Sequence, residues 1–194
     1  MTRRQRIALL GAKVLQVALV CAALFHGSAM GQGLISRPFP IEKHGTLELT
    51  APEHWKDTVK KGPRFLPPKI EFSPASGQGF LIQITPGGPQ LSGLGRGNPA
   101  EVRKRVEEAG HRLLSRAMEA NLALRELVGD GVWGIYFSLT DKAPKPGEYR
   151  HLTQGIALVG DLPLAFTILY NDPELGEQRA ALEMLSKARL TSAR

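Results

Sequence analysis

Alternation of apolar and polar positions dominates the second half of the chain. Between residues 132 and 140, Trp133, Ile135, Phe137 and Leu139 recur every second position, which is the period of a strand whose side chains point alternately to its two faces. Residues 124–128 precede this run across Gly129-Asp130-Gly131, and glycine reaches the positive φ that a tight turn demands, so the two runs read as a hairpin. Further strands are expected over 149–159 and 164–171, joined by a short turn at Gly160-Asp161. Upstream, 46–49 alternates, 69–73 follows, and 80–85 sets Phe80, Ile82 and Ile84 on one face. Gly and Pro crowd residues 62–99, which therefore read mainly as loop with strands embedded in it.

Two stretches switch to the helical period. Asn98 is placed as an N-cap, Pro99 takes the first helical position and Glu101 follows three residues after the cap. Val102, Val106, Ala109, Leu113, Ala117, Ala120 and Leu124 then recur at steps of three and four, opposite Arg103, Lys104, Glu107, Glu108, Arg112 and Arg116. This predicts one amphipathic helix running as far as Leu124. A second helix is expected behind Asp172 as cap and Pro173, with Leu175, Ala181, Leu182, Leu185 and Ala188 towards the core. The order is strands, helix, four strands, helix, with short connections that favour antiparallel pairing. The expected fold class is α+β, an antiparallel sheet of about six to seven strands covered by two main helices.

The first thirty residues do not fit that domain. Arg3, Arg4 and Arg6 form a cationic start, residues 14–25 are apolar except for Gln16, and His26-Gly27-Ser28-Ala29 ends in small residues, the three parts of a secretory signal. Cleavage is expected near Ala29. A retained anchor would place Lys13 in mid-bilayer at a cost of about 3 kcal/mol, which favours cleavage. Thr2-Arg3-Arg4-Gln5 opens like a twin-arginine signal, but Arg6 stands where that signal takes an apolar residue. The expected organisation is a signal peptide over 1–29, an extended segment over 30–44 and a single domain over 45–192, exported to the periplasm or secreted.

Removal of the leader changes the charge picture. The chain holds 25 Lys and Arg against 18 Asp and Glu, formally +7, but four cations and no acid precede Met30, leaving 21 against 18, or +3. The argument for a nucleic-acid partner disappears with the leader. The single cysteine, Cys21, also lies there, so the exported part offers no disulfide, thiol nucleophile or thiolate metal site. No later segment is long and apolar enough to span a bilayer as a helix, since 155–170 is interrupted by Asp161 and Pro163.

Catalytic signatures are sparse. No Gly-x-Ser-x-Gly elbow occurs, and His44, His54, His111 and His151 have no mutual spacing that aims two rings at one metal. Gly93, Gly95 and Gly97 precede a helix, but Asn98 at the sixth place breaks the Gly-x-Gly-x-x-Gly spacing and no Lys-Ser/Thr pair follows. No cofactor is expected.

Two stretches carry recognition chemistry. The connection after residue 140 bears Asp141, Lys142, Lys145, Glu148, Tyr149 and Arg150 between two strong strands, and Pro144 and Pro146 restrict its shape. Lys142, Lys145, Glu148, Tyr149 and Arg150 are the candidate partner-binding residues. Trp55, Lys56, Lys60, Lys61 and Arg64, with Phe65, interleave cations and aromatics as an anionic protein or lipid surface would require. The alternative is a solvated stretch whose Trp55 and Phe65 turn inwards.

The order of elements over about residues 45–190 resembles the PsbP-like superfamily, and the run 133–149 is similar to a stretch of uncharacterised exported bacterial proteins. The resemblance implies a helix-covered antiparallel sheet acting as a non-enzymatic binding or assembly module, among whose relatives are chaperones of membrane-inserting segments. It implies no metal or chloride site, because no ligand residue matches. The function expected is thus an exported periplasmic binding or assembly module of unknown partner, an envelope protein or a lipid surface. An envelope hydrolase with His151 or His54 as base and a peripheral membrane-surface protein are the alternatives.

Overall fold

A computed structural model describes residues 33–62, 67–95 and 97–191, and the leader lies outside the described residues. Its elements are β1 (Leu34–Ile41), β2 (Gly45–Pro52), β3 (Trp55–Lys60), β4 (Lys69–Pro74), β5 (Phe80–Pro86), α1 (Pro99–Leu114), β6 (Arg125–Gly129), β7 (Val132–Thr140), β8 (His151–Val159), β9 (Leu162–Tyr170), α2 (Glu177–Ser186) and β10 (Arg189–Thr191). Seven strands pair antiparallel in the order β3-β4-β5-β9-β8-β7-β6, and β1-β2-β10 form a second, smaller antiparallel sheet.

The large sheet is buried on both faces, and the two-residue period sorts its side chains into two cores. On one face Leu162, Leu164, Phe166 and Ile168 of β9 meet Ile82 and Ile84 of β5, Ala181, Met184 and Leu185 of α2, and Leu47 and Leu49 of the small sheet. On the other, Ile135 and Phe137 of β7 and Leu158 of β8 pack against Val102 and Val106 of α1. The fold is α+β, with one helix on each face of the sheet.

Helix α1 begins as Asn98 and Pro99 predict. The Asn98 side chain accepts a hydrogen bond from the Glu101 N–H at 3.2 Å, and Glu101 pairs with Arg105 one turn on at 2.9 Å. Its end differs from the expectation, for the helix stops at Leu114 and not at Leu124. The Met118 N–H donates to the Thr140 carbonyl at 2.7 Å and the Lys142 N–H to the Arg116 carbonyl at 3.0 Å, so Ala117 bridges to Asp141 and the chain leaves the helix to pair with the end of β7. Leu122 then folds back over Gly110, the one helical position where it meets no side chain. The second helix is likewise shorter than predicted. Asp172 caps a 3-10 turn at Pro173–Leu175, Gly176 turns left-handed at φ 80°, and α2 starts only at Glu177. Leu175, expected towards the core, is 68% exposed as a consequence.

Three strands go beyond the expected set. The extended segment before Gly45 contains β1, which pairs along its length with β2, and Pro38 and Pro40 in it lack the N–H that an outer edge would otherwise offer to another chain. The basic stretch after Glu53 forms β3, the edge of the large sheet, and β10 closes the small one. Arg37 ties the two sheets together. Buried in β1, it pairs with Asp57, donates to the Trp55 carbonyl at 2.6 Å and lies over the Phe72 ring at 5.7 Å.

The C-terminal end of α2 presses on the β6–β7 hairpin so closely that a Cβ on Gly129 would overlap the carbonyl oxygen of Ser186. Backbone meets backbone there, so neither side can swing aside. Gly129→Ala should lower the unfolding free energy by about 1–3 kcal/mol in urea titration. Gly79→Ala, whose added methyl meets nothing within 4 Å, should change it by less than about 0.5 kcal/mol.

Candidate functional site

The strand register places three leucines side by side. Leu139 of β7 is opposite Leu152 of β8, and Leu152 is opposite Leu169 of β9, so the three form a row across the sheet on the α1 face. Leu152 and Leu169 are only half-buried, whereas Leu139 is buried against the end of α1. Leu113 from its last turn and Ala117 beyond it form one wall of a groove of about 420 Å³, floored by the three leucines and rimmed by Arg116, Asp141, Glu148, Tyr149 and Arg150. A volume of this order falls in the range of small-molecule clefts, about 300–1,000 Å³.

The connection between β7 and β8 that borders the groove is held in one shape by its own hydrogen bonds. The Asp141 N–H donates to the Arg150 carbonyl at 2.8 Å and closes its base. The Ala143 N–H donates to the Asp141 carboxylate at 3.0 Å, and the Lys145 N–H to Glu148 Oε2 at 3.0 Å, while the Glu148 N–H returns to the Lys145 carbonyl at 2.9 Å. Gly147 sits at φ 85°, a turn position that favours glycine. The Lys142 ammonium donates to the Ser115 carbonyl at 3.2 Å, and the Arg150 N–H to Asn171 Oδ1 at 3.0 Å.

Of the five residues assigned to partner binding, Glu148, Tyr149 and Arg150 line the groove. Lys142 and Lys145 do not, and serve the shape of the connection through the bonds just described. On the rim, Arg116 and Asp141 neutralise each other at 3.3 Å. Burial raises the Tyr149 phenol above its ordinary 10, so it is protonated and a donor at neutral pH. The leucine floor, Arg116 and the wall at Leu113 and Ala117 escaped the sequence reading. Their signal was the apolar character of both faces of 149–159 and 164–171, which asks for cover on two sides.

The basic stretch takes another course. Trp55 turns inwards, is 3% exposed and packs its ring 4.8 Å from that of Phe80. Lys56 is exposed on the edge strand, and Lys60 pairs with the buried Glu71 at 2.6 Å. Lys60, Lys61 and Lys69 border a separate groove with Gln90 and Thr85. Arg64 and Phe65 lie outside the described residues.

The histidines sit apart from the leucine row. His54 is exposed beside Trp55. His151 faces the α2 side of the sheet, stacked on Tyr170 at 5.1 Å with Nδ1 3.3 Å from the Thr140 hydroxyl. Next to it, Gln178 of α2 donates to Ser138 Oγ at 3.0 Å and Thr153 Oγ1 at 2.7 Å, a bonded cluster beneath the start of the helix. Among the described residues no three His, Cys, Asp or Glu side chains gather as a metal ion would require, and no helix is long and apolar enough to cross a membrane.

No protein-family model and no curated protein matches the chain. Among solved structures it is similar to the solution structure of cyanobacterial PsbP (CyanoP) from Synechocystis sp. PCC 6803, with 16% identity and a TM-score of 0.47 over 86% of this chain and 99% of that one. It is also similar to a crystal structure from Bacteroides thetaiotaomicron VPI-5482, with 9% identity and a TM-score of 0.44 over 75% of this chain. The chain spans 45% of that second protein's length.

His151 makes the fold sensitive to acid. Burial, then the nearby Arg150, hold its imidazole below the ordinary 6.5 against the opposing pull of Glu119 and Asp172. The ring is therefore neutral in the fold, while the unfolded chain binds the proton from about pH 6.5 downwards, so stability is present above that pH and falls as pH drops through the folded value. Urea unfolding at about pH 7.5 and about pH 5.5 should show a smaller loss on acidification for His151→Gln than for the parent protein. An equal loss in both would show that other groups carry the acid sensitivity.

Proposed function

We propose that this protein is an exported, non-enzymatic binding module whose ligand seats in the leucine-floored groove between the end of α1 and the 141–150 connection. One observation carries the reading: Leu152 and Leu169, next to the buried Leu139, form an apolar row that the helix leaves half-buried, beside a connection already fixed in shape. Uncovered apolar surface in a concave, pre-ordered setting favours a ligand, because little entropy remains to be lost on docking. Export to the periplasm is part of the same reading and is supported by the cationic start, apolar run and small residues of 1–29. His151 and His54, the bases of the hydrolase alternative, lie outside this groove, and Trp55 is buried away from any membrane surface.

Nile red, a neutral apolar dye, should bind the purified protein. Leu152→Arg, which puts a charge on the half-buried floor, should weaken that binding by about tenfold or more. Val128→Arg, at an apolar side chain 68% exposed elsewhere on the sheet, should leave it unchanged. Equal dye binding by all three proteins would place the apolar site outside the groove and end this reading.

Export makes its own prediction. Fractionation of producing cells followed by N-terminal sequencing should find the protein in the periplasm beginning at Met30. Recovery of the intact chain from the cytosol would refute it.

A further inference from the structure

We propose that the ligand of this groove is a single-chain aliphatic carboxylate, its hydrocarbon along the row of Leu139, Leu152 and Leu169 and its carboxylate held at the rim by Arg150. The inference rests on the groove being the binding site, and adds the chemical class of what binds. The argument begins with the rim charges. Four charged residues stand there, but Arg116 and Asp141 are paired with each other at 3.3 Å, and Glu148 already accepts the Lys145 N–H at 3.0 Å. Arg150 is left over: its backbone N–H is bonded to Asn171, but among the described residues its guanidinium has no carboxylate or hydrogen-bond acceptor. A guanidinium presents parallel N–H groups in a planar fork, the geometry that a carboxylate fills with two hydrogen bonds.

Tyr149 stands next to it on the same rim, and its hydroxyl likewise has no partner among the described residues. Its protonated phenol supplies a further donor for the same anion. A cationic head group would find one rim carboxylate, Asp141, paired with Arg116 and the other, Glu148, with one oxygen occupied by the Lys145 N–H, so the test includes an amine.

The floor and the volume decide the remainder of the ligand. Leucines from three adjacent strands present no polar side-chain atom, so the part of the ligand lying on them must be hydrocarbon. About 420 Å³ lies near the lower end of the range for ligand clefts and suits one chain more readily than a two-chain lipid.

Competition against bound Nile red tests the class. Laurate should displace the dye at a concentration about tenfold lower than methyl laurate, which has the same chain without the charge, and dodecylamine should compete no better than the ester. Arg150→Gln should retain dye binding and lose the preference for laurate over its ester, while Arg150→Lys should keep part of it. Because Arg150 is exposed at the end of a connection held by backbone bonds, circular dichroism of both variants should match the parent. Equal competition by laurate and its ester, or stronger competition by dodecylamine, would overturn the carboxylate assignment. So would displacement by phosphatidylglycerol vesicles but not by laurate, which would assign the groove to a two-chain lipid. In each of these cases dye binding still marks the groove as a site. Loss of dye binding by the parent protein, or its indifference to Leu152→Arg, would instead remove the groove reading itself.

Discussion

Strands β7, β8 and β9 are paired over nine residues each, and because side chains alternate across a pleated sheet, this single register decides both faces together. Phe137 and Leu158 are directed to α1, and Ala157 and Phe166 to α2 and the small sheet. A shift of one residue in any pair would exchange the two sets. Each face must therefore be covered along its length, and the cover available is limited. Helix α1 supplies it for the middle of one face, and α2 with the second sheet supplies it for the other. Where α1 ends, the cover thins from the buried Leu139 to the half-buried Leu152 and Leu169.

That ending is a competition between two backbone arrangements. Continuing the helix past Leu114 would keep adding hydrogen bonds from each N–H to the carbonyl four residues earlier. The chain instead exchanges them for bonds with the end of β7 and the connection that follows it, Met118 to Thr140 and Lys142 to Arg116, and retrieves apolar contact by folding Leu122 onto Gly110. The same bonds anchor the connection that forms the far rim of the groove. One local choice therefore both leaves Leu152 and Leu169 half-buried and orders the residues that surround them.

The elements most legible in the sequence were those specified locally. Asn98-Pro99 with Glu101 marked the true start of α1, and Gly129-Asp130-Gly131 between alternating runs marked the β6–β7 hairpin. What stayed hidden depends on partners far along the chain. The apolar period of α1 continues through Ala117 and Leu124 whether or not the helix does, because nothing within that stretch records the pull of Thr140. β1 carries Pro38 and Pro40 and half of β3 is charged, so neither reads readily as a strand, and both form by pairing at sheet edges where one side is free. Leu175 has a helical period but is followed by Gly176 in the left-handed region, which delays the helix past it. The site divided in the same way. Glu148, Tyr149 and Arg150 could be picked out by their charge and position on a restrained connection, whereas the leucine floor exists only through a register spanning three strands.

The alternation that creates the groove also sets the His151 ring on the opposite face of the sheet. His151 and Leu152 are neighbours in sequence and therefore face opposite sides of the sheet. The imidazole lies with Tyr170 and Thr140 on the α2 side, and Leu152 lies on the floor of the groove. Beside His151, the bonded cluster of Ser138, Thr153 and Gln178 occupies the space under the first turn of α2, where polar atoms without partners would be costly. The polar residues on that side are thus engaged in docking a helix. The same two-residue period that built the floor sets the imidazole on the other face of the sheet.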